Sequence, residues 1–190
     1  MSKIQEVILL AFNIDAKQLL ADALYNLVQE KDFDSITISD ICKRSGVSRA
    51  TFYRYFHDKY ELMSYHYESF VKSNFLDVES NLAWKEKLYQ YANFYMQHKE
   101  YFTNILNYDG QNSFDEFLYS YSLAHFTRLA KKKYNCTTLS KEVVFAIKMY
   151  CYGNSMIVRD WLNGELDLTI AEFCTYRYET MPQIMKDFLD

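Results

Sequence analysis

A chain of 190 residues with a single proline and four glycines has few places where its backbone can turn freely, because those two residues supply most helix stops and tight turns. Alternating apolar and polar stretches bounded by turn pairs, the mark of hairpins, do not occur along it. Apolar residues instead recur every three or four positions, the spacing that lays one stripe along a helix. The expected fold is therefore all-α, with about nine helices.

Ala16, Leu19, Leu20, Ala23, Leu24, Leu27 and Val28 mark a first helix that stops near residues 31 to 35. Thr37, with Asp40 three positions on, has the form of a capping box before Ile38 and Ile41, and Gly46 supplies the left-handed residue that ends so short a helix. Ser48 caps the next helix, which carries Phe52 and Phe56 on one face, and Asp58 followed by Glu61 opens a longer one. Farther on, stripes at Leu88, Tyr91, Tyr95 and Phe102 and at Phe114, Phe117, Leu118, Tyr121 and Leu129 are divided by a turn at Asp109, Gly110 and Asn112. Ser140 opens a stripe of Val143, Val144, Ile147, Tyr150, Cys151, Asn154, Val158 and Trp161, closed by Asn163 and Gly164. Thr169 with Glu172 caps another helix, which Pro182 kinks or ends near Met181.

Several function classes are disfavoured. With 49% hydrophobic and 24% charged residues, the chain has neither the low hydrophobicity nor the bias of a disordered segment. Its longest apolar run, residues 7–12, falls far short of the roughly 20 residues a spanning helix needs and is too short for a secretory core. No membrane partner is expected, and the expected address is the cytoplasm. Cys42, Cys136, Cys151 and Cys174 form no C-x-x-C pair, and His57, His66, His98 and His125 have no metal-ligand spacing, so neither a metal nor a cofactor is expected. No nucleophile with an adjacent base and no phosphate cradle is visible, so the chain is not read as an enzyme.

Net charge is −4, but between residues 43 and 59 five basic residues (Lys43, Arg44, Arg49, Arg54, Lys59) face one acid, Asp58. A basic island on an acidic chain points to a focused polyanion contact. The island lies in T-I-S-D-I-C-K-R-S-G-V-S-R-A-T-F-Y-R-Y-F-H-D-K-Y-E-L, residues 37 to 62. This is a short helix, a glycine turn and a second short helix crowded with donors, a helix-turn-helix at about 37–56. Arg49, Ala50, Tyr53 and Arg54 fall on the outer side of the second helix, where they can enter a major groove. Arg49, in the first turn, can donate two bonds to a guanine. Thr51, Tyr53, Tyr55 and Lys59 are suited to phosphates, whereas Lys43 and Arg44 complement a helix C-terminus.

The same segment resembles the DNA-binding domain of TetR-family transcriptional regulators, with the pattern T-x-x-x-I, a small residue before G-V-S, then T-[FL]-Y-x-[HY]-F-x-x-K-x-x-L. Thr37, Ile41, Ser45-Gly46-Val47-Ser48, Thr51-Phe52-Tyr53, Tyr55-Phe56, Lys59 and Leu62 match it. The resemblance implies a three-helix DNA-binding domain over residues 1–62, with Arg49, Ala50 and Tyr53 on bases and Thr37, Thr51, Tyr55 and Lys59 on phosphates; Ser48 and Arg54 complete the candidate DNA face. Residues 1–12 precede the family's usual first helix and form either an extra arm or a frayed terminus.

For residues 63–190 the resemblance implies a helical dimerisation and effector domain, and for the whole chain a homodimer, most often a repressor, on a near-palindromic double-stranded operator. The stretch Y-M-Q-H-K-E-Y-F and the later G-N-S-M-I-V-R-D-W-L-N-G-E are similar to a C-terminal domain of regulators related to the dihydroxyacetone kinase operon activator. That similarity implies two alternatives: an activator instead of a repressor, and a protein instead of a small-molecule effector. Tyr91, Tyr95, His98, Phe102, Phe117, Tyr121, His125 and Tyr150 are candidate effector contacts, with ordinary core packing as the alternative for each. The stripe from Val143 to Trp161 with the last helix is the candidate dimer seam.

Overall fold

The computed structural model describes residues 15–71, 83–108, 110 and 113–190. The apolar run at 7–12, Asp109 and Asn112 lie outside the described residues. Among those described there is no strand, and ten α-helices follow one another: α1 Ala16–Glu30, α2 Ile38–Ser45, α3 Arg49–Tyr55, α4 Lys59–Val71, α5 Trp84–Gln97, α6 Lys99–Leu106, α7 Phe114–Lys133, α8 Lys141–Asn163, α9 Ile170–Glu179 and α10 Gln183–Leu189. They fall into two compact units, residues 1–78 and 79–190. A boundary after residue 62 would cut α4, which packs on α1 within the first unit.

In the first unit α1 turns Leu20, Ala21, Ala23, Leu24, Leu27 and Val28 inward and packs against α2, α3 and α4. Asp15 caps it by accepting from Lys17 N at 2.9 Å. A 3₁₀ turn, Phe33–Ser35, then brings Phe33 and Ile36 into the core. At α2 the capping box forms as the sequence implies: Asp40 N donates to Thr37 Oγ1 (3.2 Å) and Thr37 N donates to Asp40 Oδ2 (2.9 Å). Gly46 ends α2 at φ +71°, and a Cβ there would meet nothing within 4 Å. Its requirement is therefore for the left-handed backbone itself. Ser48 starts α3 by accepting from Thr51 N at 3.1 Å. Asp58 does the same for α4, taking the amides of Tyr60 (2.9 Å) and Glu61 (2.8 Å).

In the second unit α7 and α8 pack side by side, α6 lies against α8, α9 against α5, and α10 against both α7 and α8. Ser113, Ser140 and Thr169 cap α7, α8 and α9, and Glu172 completes the capping box at Thr169. α8 ends at Gly164 with φ +81°. Trp161 then stacks flat on Phe173, with centroids 4.0 Å apart and planes at 9°, and donates its indole N–H to Leu168 O at 2.8 Å. Pro182 separates α9 from α10.

Helix α8 is apolar on two sides. Val143, Ala146, Ile147, Cys151, Val158 and Trp161 are buried in the core of this chain. Phe145, Met149, Tyr152 and Met156, spaced four, three and four residues apart, stay 67%, 58%, 59% and 39% exposed. The stripe expected to form a dimer seam is thus largely used within the chain, and a different one faces outward.

Thr37→Ala removes the side-chain acceptor of the α2 capping box and is expected to cost about 1 kcal/mol, read as a lower midpoint in urea or thermal unfolding.

Candidate nucleic-acid interface

With seven residues, α3 is too short to hold itself together in isolation. It is fixed by its Ser48 cap and by Phe52, fully buried, which packs on Phe56 at 5.9 Å. Burying Thr51 and Phe52 leaves Arg49, Ala50, Tyr53 and Arg54 exposed on the opposite side. Arg49 Nη1 donates to Ser39 Oγ at 2.6 Å and Nη2 to Tyr53 Oη at 3.4 Å. The guanidinium so lies across the outer surface of α2 and α3, with donor capacity left over. Arg54 stacks over the Tyr55 ring at 4.9 Å and donates to its hydroxyl at 3.3 Å, and Lys17 Nζ stands 5.4 Å from the same ring.

The remaining candidates are placed differently. Thr37 Oγ1 donates to Asp40 Oδ2 at 2.8 Å as well as accepting from the cap amide. Asp40 also takes Lys31 Nζ at 2.9 Å, and with the Thr37 bonds this cation holds its carboxyl well below the usual range. Ser48 Oγ donates to Thr51 Oγ1 at 3.0 Å, so the Thr51 hydroxyl is drawn into the cap.

Lys59 is the largest departure from simple expectation. Its ammonium donates to three backbone carbonyls, Phe33 O (2.8 Å), Asp34 O (2.9 Å) and Ile36 O (3.0 Å), with the Phe33 ring 4.7 Å away. All three protons are thereby engaged, and reaching a phosphate would mean leaving at least one carbonyl. Burial lowers its pKa. Arg44 is also partnered, donating to both oxygens of Glu30 at 2.8 and 2.5 Å, whereas Lys43 is exposed. The sequence reading missed Ser39 and Lys17: Ser39 lies ten residues from Arg49 across a turn, and nothing in the spacing links them.

Of the candidate effector contacts, Tyr95, Phe102, Phe117 and Tyr121 form a packed aromatic series. Ring centroids are 4.8 Å apart for Tyr95–Phe102, 6.1 Å for Phe102–Phe114, 5.7 Å for Phe114–Phe117 and 5.7 Å for Phe117–Tyr121. Tyr91 is half-buried, and desolvation raises its pKa. His98 sits at the α5–α6 junction, 4.9 Å from the Phe94 ring. His125 is pushed down to about 4 by burial and by the charges of Arg128 and Lys87, so it is neutral near pH 7. Tyr150 alone of the eight lines a cavity of about 490 Å³, whose walls include Asn154, Phe173, Tyr176 and Arg177.

Two short helices hinged at Gly46, the second presenting two arginines and a tyrosine outward, make a helix-turn-helix unit. Residues 20–65 match the family of bacterial regulatory proteins, tetR family, and residues 83–183 match a transcriptional regulator C-terminal region. The chain belongs to the tetR family of bacterial transcriptional regulators. It is 29% identical over 76 residues to the HTH-type dhaKLM operon transcriptional activator DhaS of Lactococcus lactis subsp. lactis (strain IL1403). That match spans 40% of this chain and 41% of the relative. A solved dihydroxyacetone kinase operon activator DhaS has the same fold, with a TM-score of 0.63 and 19% identity over 93% of this chain and 99% of that one. A structure assigned to the TetR family from Syntrophomonas wolfei str. Goettingen gives a TM-score of 0.56 and 18% identity over 91% and 96%. These family matches point to transcription regulators, not to enzymes. No helix among the described residues is long and apolar enough to cross a membrane.

Lys59→Met leaves three carbonyls without their shared donor and is expected to cost about 1–3 kcal/mol of stability, measured by denaturant unfolding. The salt slope of DNA binding should change little, whereas loss of a phosphate contact would lower it by about one.

Proposed function

We propose that the chain is a homodimeric, cytoplasmic, sequence-specific regulator that reads a near-palindromic double-stranded operator with one α3 helix from each copy. The observation that carries this reading is the solvated face of α3, where Arg49, Ala50, Tyr53 and Arg54 stand together on a helix narrow enough for the major groove. Arg49 reads a base edge, its fork steadied by Ser39 and Tyr53 on the outer surface of α2 and α3. Tyr53 and Ala50 flank it. Thr37, Ser48, Thr51, Arg54 and Tyr55 set the helix against phosphates, with cap hydroxyls near the backbone and Lys17 adding charge beside Tyr55. Lys59 acts here as a positioning residue, holding the start of α4 to the carbonyls that follow α1.

In this reading the second copy covers the outward stripe of α8. Phe145, Met149, Tyr152 and Met156, with Tyr176 of α9 at 49% exposure, form an apolar surface that a monomer seldom leaves open. Two-fold pairing of such helix faces is self-complementary. An effector in the C-terminal unit would favour the dimer geometry in which the two α3 helices no longer meet the operator, a coupling of about 1–3 kcal/mol. Repression follows most directly, since occupancy of the operator suffices for it. Activation is the second reading, favoured by the relatives, which are named operon activators, and with it comes a protein effector in place of a small molecule. Reporter output from the native promoter with and without the gene separates the two signs.

Arg49→Ala is expected to weaken binding to the upstream DNA of its own gene in fluorescence anisotropy and to relax preference at one base position by about 1–3 kcal/mol; unchanged affinity and preference would remove its reading role. Phe145→Glu with Tyr152→Glu is expected to convert the dimer to monomer in sedimentation equilibrium and to abolish tight operator binding while leaving helicity intact.

A further inference from the structure

The cavity in the C-terminal unit has apolar walls and one charged group. Arg177 of α9 reaches it over the face of Phe173, 5.0 Å from the ring centroid. Its Nε and Nη2 both donate to the amide oxygen of Asn154, at 3.0 and 2.5 Å. A guanidinium fork is the shape that two carboxylate oxygens fit, yet here a neutral amide holds one edge. Among the described residues no carboxylate pairs with Arg177. Its Nη1 is shielded from solvent and makes no hydrogen bond, and the same is true of Tyr150 Oη on the cavity wall and of Trp84 Nε1. Burial raises the pKa of Tyr150, and the charge of Arg177 together with the hydrogen-bonding approach of the Trp84 and Arg177 N–H groups to its hydroxyl opposes that rise, so the three groups face one another without reaching full hydrogen-bond geometry.

Three shielded donor groups converge with one positive charge and no resident anion. Leaving such groups without partners is costly, most of all for a charged one. A ligand that supplies acceptor oxygens and a single negative charge removes that cost. The space of about 490 Å³ beside Arg177 and Tyr150 is bounded by Ile157, Leu166, Leu168 and Phe173, which suit an apolar body. We propose that this cavity binds a small-molecule carboxylate carried on an apolar chain or ring, its carboxylate on Arg177 Nη1 and the Tyr150 hydroxyl. This deepens the reading that the C-terminal unit houses an effector, and rests on it for regulation but not for binding.

The test is calorimetric titration of the full-length protein with hexanoate and phenylacetate, each set against its neutral counterpart, hexan-1-ol and 2-phenylethanol, with phenyl phosphate as a third arm. The carboxylates are expected to bind roughly tenfold or more tightly than the alcohols, the ratio that a charge-assisted hydrogen bond commands. Arg177→Gln should erase that ratio, and Tyr150→Phe should reduce it several-fold. Asn154→Asp keeps the shape and gives Arg177 a resident carboxylate. It should abolish carboxylate binding while raising the melting temperature, so the proposal stays testable even if Arg177→Gln fails to fold. Equal binding of acids and alcohols, no binding of any probe up to about 10 mM, the range open to ligands of so few atoms, or a preference for phenyl phosphate would each overturn it. So would a carboxylate preference that survives Asn154→Asp. A carboxylate that binds through Arg177 but leaves operator anisotropy unchanged supports the site and overturns the effector reading alone.

Discussion

The ammonium of Lys59, gathering the carbonyls of Phe33, Asp34 and Ile36, is the tie on which the geometry of the DNA-binding unit depends. Those carbonyls belong to the segment between α1 and α2, where the helical ladder has ended and only Phe33 O has a backbone donor, Ile36 N at 3.1 Å. One cation gathers three of them and fixes the first residue of α4 to the segment that precedes α2. The seven residues of α3 then start from the Ser48 cap and finish one short turn before a fixed point. A helix this short gains little from its own hydrogen bonds, so its orientation is set by what anchors both of its ends and by Phe52 beneath it. That orientation decides where Arg49 points.

Much of this unit was legible in the sequence because its devices are local. A cap joins residues three apart, as Thr37 with Asp40 or Ser48 with Thr51, and a left-handed stop needs only Gly46; both can be recognised in a short window. What escaped reading joins residues far apart through groups with no sequence signature. Lys59 finds its acceptors 23 to 26 residues earlier on carbonyls that any residue type would offer. Arg44 meets Glu30 across 14 residues and Arg49 meets Ser39 across ten. A basic residue in a motif announces charge, but not whether the fold has already claimed it.

In the C-terminal unit the spacing of apolar residues identified α8 without identifying which way it faced. The helix is apolar over most of its circumference, so a three- and four-residue pattern fits both the inward set at Ile147 and Cys151 and the outward set at Phe145 and Met149. Only packing against α7 and α6 chooses between them. The aromatic residues behaved similarly: rings at helical spacing from Tyr95 to Tyr121 pack on one another, and of the polar groups at the cavity Asn154 was legible only as a member of the α8 stripe, while Arg177 carried no pattern that marked it in advance.

Met149 and Tyr176 belong at once to the outward apolar stripe and to the lining of the cavity beside Arg177. Whatever covers the stripe and whatever enters the cavity therefore share two side chains, and any effect that one has on the binding of the other is equal in both directions. Self-association through α8 would make the affinity of a cavity ligand vary with total protein concentration. A chain so coupled would sense its own abundance along with its ligand, and dilution alone would shift its response.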